Sequence, residues 1–186
     1  MTPFAQNITF VISLGVVVLN ILSVILLWIL VLGTPDKKNK DLGSKIASHA
    51  LVLSALIAIG GTIGSLIYSS VIGFIPCEFC WWARILLFPQ AVLFFVAWFR
   101  SWKYKITDSA VYIYALVFSI MGVLVTGFHY YGQMFNPSLL DACIATGVSC
   151  SQIPFVEFGY ITIPWMAFST FVALALVIGI KLRFSK

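Results

Sequence analysis

Charge is what this chain has least of. Its 186 residues include eleven Lys and Arg and six Asp and Glu, 9% in all, against about 25% in an ordinary soluble domain. So few charges cannot cover a water-facing surface, which excludes a soluble enzyme or binding module. The formal charge of +5 would suggest nucleic-acid binding in a soluble protein. Here the basic residues fall in short segments between apolar runs, where orienting the chain in a bilayer accounts for them. No nucleic-acid partner is expected. No glycine-rich phosphate loop is present, so the chemistry sought is not that of a nucleotide. No basic stretch precedes Ile8 and no A-x-A-type site follows the first apolar run, so that run reads as a retained span and not a cleaved signal peptide.

What is abundant is hydrocarbon: 61% of the residues are hydrophobic. Five apolar runs are each long enough to cross about 30 Å of lipid as a helix. They cover approximately Ile8–Leu32, Ala47–Phe74, Trp81–Phe99, Ala110–Tyr131 and Ile161–Ile180. Helices are expected because an open strand in lipid leaves backbone groups unpaired. Lys37, Lys38, Lys40 and Lys45 lie between the first two runs, Arg100, Lys103 and Lys105 between the third and fourth, and Lys181, Arg183 and Lys186 after the fifth. Five spans put these segments on one side, the cytoplasmic side by the positive-inside rule. The expectation is an all-α polytopic membrane protein, N-out and C-in, with Arg84 the one basic residue elsewhere.

The four cysteines all fall on the opposite side, where disulfides form and persist. Cys77 and Cys80 form a C-x-x-C in Pro76-Cys-Glu-Phe-Cys-Trp-Trp-Ala-Arg84, a spacing that brings two sulfurs together and is often reactive. Cys80 is expected at the start of the third span, where the helix dipole favours a thiolate. Arg84, four residues on, faces the same side one turn deeper and would stabilise an anion there or a charged quinone intermediate beside it. Half a zinc site and a snorkelling arginine are the bland alternatives. Cys143 and Cys150 are spaced C-x6-C, with Gly147 supplying a turn. A static loop staple is the plain reading of that pair alone. Beside a C-x-x-C on the same face, a mobile disulfide that relays electrons is preferred. The rival class is a membrane scaffold whose four cysteines hold a structural zinc.

His129, with Tyr130, Tyr131 and Gln133, ends the fourth span at about the depth of Arg84. The cluster would bound a quinone headgroup, or form an interfacial aromatic belt. Gly60, Gly61, Gly64 and Ser65 in the second span read as helix packing, Pro89 as a kink in the third. Ile153–Gly159 reads as a short interfacial segment or a plain re-entry into the fifth span.

These residues resemble the disulfide-bond formation protein B (DsbB) family, most of all its short-loop BdbC-like branch. Ile59 to Ser69, Pro76 to Pro89, His129-x-x-x-Gln133, the C-x6-C pair and Gly159 to Pro164 carry the resemblance in order, over roughly residues 46–180. It implies a four-helix transmembrane bundle in residues 46–186, preceded by an extra N-terminal span and cytoplasmic loop in 1–45. It implies a thiol:quinone oxidoreductase of the cell membrane that reoxidises an exported DsbA-like thioredoxin-fold partner. Carried over by motif, Cys143 forms the mixed disulfide with the partner, Cys150 exchanges with Cys77, and Cys80 faces a membrane quinone, ubiquinone or menaquinone. Cys80, Arg84, His129 and Gln133 would hold that quinone, with no metal. Two features depart from the better-known form: the extra first span, and second-pair cysteines only seven positions apart. The vitamin K epoxide reductase family places its C-x-x-C late in the chain, and this sequence places it first.

Overall fold

The computed structural model describes residues 2–32, 37–104, 110–141, 143 and 147–184, with helix but no side chains described at 32 and 37–39. Lys105 and Lys186, two of the basic residues used to orient the chain, lie outside the described residues. Five long helices form: α1 (Pro3–Leu32), α2 (Lys37–Leu66), α3 (Glu78–Tyr104), α4 (Ala110–Phe135) and α5 (Ile163–Phe184). All five contain segments long and apolar enough to cross a membrane, and no named strand occurs among the described residues. Their outward faces carry large exposed apolar side chains such as Val24, Val92 and Leu124, which lipid and not water tolerates. The chain is an all-α polytopic membrane protein.

The helices α2, α3, α4 and α5 pack in a ring, each against its two neighbours, and α1 lies outside it, chiefly against α5. The core is built from small and large residues in alternation: Ala50, Ala55 and Ala58 of α2 face Phe94 of α3 and Phe171 and Leu174 of α5. Gly122 of α4 is where α5 comes closest, since a Cβ placed there would lie 2.4 Å from the Phe171 ring. α1 presents a seam of Ala5, Thr9, Ser13, Val16 and Ser23, all buried. Small residues at intervals of three and four let two helices approach in lipid. At the far end Leu30 packs against Gly179, and the Arg183 guanidinium donates to the Leu30 carbonyl. That cation also closes the C-terminal end of α1, where the helix dipole is negative.

Two local features depart from the sequence expectation. The second span stops being α-helical at Leu66 and closes in a π turn, Ile67–Val71, in place of a straight run to Phe74. α3 starts at Glu78, three residues before the expected Trp81, because Pro76 cannot extend a helix and the Cys77 carbonyl already accepts from Trp81 N–H. The stretch before α5 holds a tight turn in which Phe158 and Gly159 both take positive φ (51° and 80°), with Glu157 and Ile161 bonded across it. α3 runs through Pro89 without a break. The helix is tied there by the buried Gln90, which donates to the Leu86 carbonyl and accepts from Ser119 of α4.

Candidate functional site

All four cysteines meet at one end of the bundle. Cys77, Cys143 and Cys150 are buried together around Leu140, with Cys80 and Phe79 packed against them. The turn Pro137–Leu140 folds back onto α4, and Gly132 makes the room: a Cβ there would lie 2.8 Å from Leu140 Cγ. Cys143 and Cys150 are joined as a disulfide. Gly147, at φ 78°, supplies the turn between them, and Cys150 N–H bonds back to the Cys143 carbonyl. Residues 142 and 144–146 of that loop lie outside the described set.

Cys77 and Cys80 are free thiols with sulfurs 2.8 Å apart. Cys77 Sγ lies 3.9 Å from His129 Nε2, and Cys77 Sγ, His129 and Cys150 Sγ all lie within 4.8 Å of one another. A disulfide sulfur has no thiolate to offer a metal, so with Cys143 and Cys150 joined the four-thiolate zinc reading lacks half its ligands. The Cys150 sulfur thus lies within 4.8 Å of Cys77 Sγ.

In the structure Cys77 takes the cap position of α3, and its thiol is held well below the ordinary range. The hydrogen bond from Cys80 is the main cause, the neighbouring His129 adds to it, and burial opposes both. The sign is that of an acid with a depressed pKa: the thiolate persists as pH falls below the usual thiol range of about 8.5 and is lost only near the depressed value. With Cys77 and Cys80 reduced and the other pair closed, iodoacetamide labelling of Cys77, read by peptide mass, therefore stays nearly flat from pH 8.5 to 6.5. An ordinary thiol slows roughly fiftyfold over that interval, and such slowing at Cys77 would refute the depressed pKa.

His129 is buried, and its Nε2 lies 3.0 Å from the Cys150 carbonyl oxygen. A carbonyl only accepts, so Nε2 carries the proton. Phe79 stacks on the ring at 5.3 Å. Arg84 turns away from lipid onto α2: Nε donates to Ser65 Oγ (3.0 Å), Nη2 to the Ser65 carbonyl (3.1 Å), and the guanidinium lies 5.4 Å from the centre of the Trp81 ring. Ser65 lies just before the π turn, and its carbonyl also accepts from Ser69 Oγ. Ser65 was read from sequence as packing only. Its role as the Arg84 anchor is a correction that no helical spacing signals, because the contact crosses from α3 to α2.

Gln133 is buried near the end of α4. Its amide donates to the Gln152 carbonyl (2.6 Å), tethering the loop after Cys150. It lines a polar recess that also touches Cys77, Cys80, His129 and Ser149. A second cavity, of about 390 Å³, opens into the membrane-spanning region and touches Cys80, Arg84, Ser65 and His129 at one end, with largely apolar walls beyond. Cys80 and His129 line both spaces.

A reactive thiol pair and a separate disulfide, stacked at the end of a transmembrane bundle, define a membrane-embedded thiol–disulfide protein. Comparison with known proteins gives the family. The family model "Disulfide bond formation protein DsbB" matches residues 47–180, and the chain belongs to that family. It is similar to "Probable disulfide formation protein C" of Halalkalibacterium halodurans, 34% identical over 130 residues, 69% of this chain and 90% of that protein. It is also similar to "Disulfide bond formation protein C" of Bacillus subtilis, 35% identical over 123 residues, 66% of this chain and 84% of the relative. A "Probable disulfide formation protein" of Metapseudomonas resinovorans is 32% identical over 138 residues, 73% and 90% of the two chains. No solved structure gives a significant match. Membership of this family makes the chain a disulfide oxidoreductase with a role in disulfide bond formation.

Proposed function

We propose that this chain is a thiol:quinone oxidoreductase of the cell membrane, which reoxidises an exported DsbA-like thioredoxin-fold partner. The observation that carries the reading is the place of Cys77 and Cys80. They sit between a disulfide loop on one side and a largely apolar chamber reaching into the bundle on the other. The basic residues Arg100, Lys103, Lys181 and Arg183 gather at the end of the bundle away from the cysteines, which supports N-out, C-in orientation with both pairs on the extracytoplasmic side. In this reading residues 46–186 are the catalytic core and residues 1–45 an added span and loop.

The exchange steps balance as follows. One sulfur of the partner's dithiol attacks Cys143, and Cys150 leaves as a thiolate. The partner's second sulfur then displaces Cys143, so the partner leaves oxidised and the chain holds two reduced cysteines. Cys150 next attacks Cys77 of a Cys77–Cys80 disulfide, and Cys80 leaves. Cys143 then displaces Cys77 and closes Cys143–Cys150 again. The depressed pKa of Cys77 makes it the better leaving group in that last step. The two electrons then reside on Cys77 and Cys80, as a thiolate and a thiol.

The chamber fits a lipid-soluble quinone: its volume lies within the range of small-molecule sites, about 300–1,000 Å³, and its walls are largely apolar with a few polar groups. A bound quinone would supply the sink for those two electrons. Cys80 is the sulfur that lines the chamber beside Arg84, and Ser65 and Trp81 hold the Arg84 side chain in place. His129 holds its Nε2 proton at the boundary between the two spaces.

The test is quinone reduction by the purified protein, driven by a reduced DsbA-like partner, with Cys80→Ser and Cys143→Ser alongside. Turnover is expected in the native chain and a loss of roughly a thousandfold or more in either variant, as when one member of a catalytic unit is removed. Turnover that survives in either variant would refute the relay.

A further inference from the structure

We propose that α1 forms the side wall of a slot for the isoprenoid tail of the quinone, so that the added span sets which tails the enzyme holds. The inference rests on the quinone reading above. It concerns a helix that lies wholly outside the family match at residues 47–180.

The chamber does not end at the polar cluster. From Arg84 and Cys80 it continues along α2 past Gly64 and Gly60 to Leu56, and along α1 from Ile12 to Leu19. Ser69 and Leu56 bound it along α2, a distance of roughly 20 Å at about 1.5 Å per residue. The glycines show that this space is left open. A Cβ built on Gly15 of α1, or on Gly60 or Gly64 of α2, meets nothing within 4 Å. Gly61 next to them does serve packing, since its Cβ would lie 2.8 Å from Thr170. The sequence reading of Gly60 and Gly64 as helix packing is thereby corrected: they widen a slot between α1 and α2. α1 is held firmly enough to be a wall, through its buried Thr9, Ser13 and Val16 seam and the Arg183 bond at its far end.

The chemistry of the walls selects the occupant. A phospholipid chain would bring a phosphate to the polar end, but the Arg84 Nε and Nη2 donors are already engaged by Ser65, and its plane lies against Trp81. Arg84 is the only cation among the residues lining the cavity. A neutral ring at Cys80 with an uncharged prenyl chain behind it matches one engaged cation and a long apolar trough.

The experiment uses the full chain in nanodiscs, with Gly15→Leu and Gly64→Leu as separate variants. At both positions an added Cβ meets nothing within 4 Å. Equilibrium binding is measured for a tail-less naphthoquinone and for the same ring with several isoprene units, with KM for both as a second readout. The expected result is that the ratio of tailed to tail-less Kd rises about tenfold in each variant, and the KM ratio with it. Ratios that stay within about twofold of the native chain in both variants overturn the tail assignment while leaving the quinone reading intact. Unchanged ratios with loss of co-purified phospholipid overturn it in favour of an acyl chain. A native chain that binds and reduces neither quinone sinks the quinone reading, and this inference with it.

Discussion

Cys77→Ser is expected to stop steady-state quinone reduction, with a fall of roughly a thousandfold or more, while one equivalent of reduced partner is still oxidised per protein. The physical reason is the division of labour between the pairs. The Cys143–Cys150 disulfide is closed independently of the C-x-x-C pair, so it can accept one dithiol's electrons without help. Passing them on requires a sulfur within exchange distance of Cys150, and Cys77 is that sulfur. A serine oxygen forms no mixed disulfide, so the electrons stay on Cys143 and Cys150. Stopped-flow oxidation of the partner should show a burst of one equivalent followed by a flat line. A burst of zero would place partner attack elsewhere, and sustained turnover would show that Cys80 receives electrons directly. Replacing Cys80 instead leaves Cys77 without the hydrogen bond that chiefly depresses its pKa.

The second large effect is on the fold. Gly122→Ala should destabilise the bundle by about 1–3 kcal/mol, the usual cost of overpacking a tight core. In an exposed helix the same change stabilises by nearly 1 kcal/mol, because alanine is the better helix former. The sign reverses here because the new Cβ would sit 2.4 Å from the ring of Phe171, itself fully buried between α4 and α5. A ring in that position cannot rotate clear without opening the core around Leu174 and Phe94. Gly60→Ala meets no atom within 4 Å and should leave stability unchanged or slightly raised. Thermal unfolding in detergent separates the two: a lowered Tm for Gly122→Ala and an unchanged or higher one for Gly60→Ala. Equal Tm values would mean that α4 and α5 can move apart more easily than this packing implies.

Hydropathy and the spacing of a few residues carried much of this protein's description. Five long apolar runs fix five helices, because only helices satisfy their own backbone in lipid. The C-x-x-C before α3 and the glycine between Cys143 and Cys150 fix where reactive sulfur sits, because these are short-range constraints of chain geometry. The family signature is equally linear. What the sequence did not yield is which apolar face meets another helix. In water the polar face of a helix points outward and reveals the buried one, but in lipid both faces are apolar and the pattern loses that information. Gly61 and Gly122 close helix contacts while Gly60 and Gly64 open a slot, although all four look alike in the sequence. The Arg84–Ser65 bond and the tether from Gln133 to the loop after Cys150 have the same origin. Each depends on a contact between helices or loops distant along the chain, and only close packing in three dimensions decides such contacts.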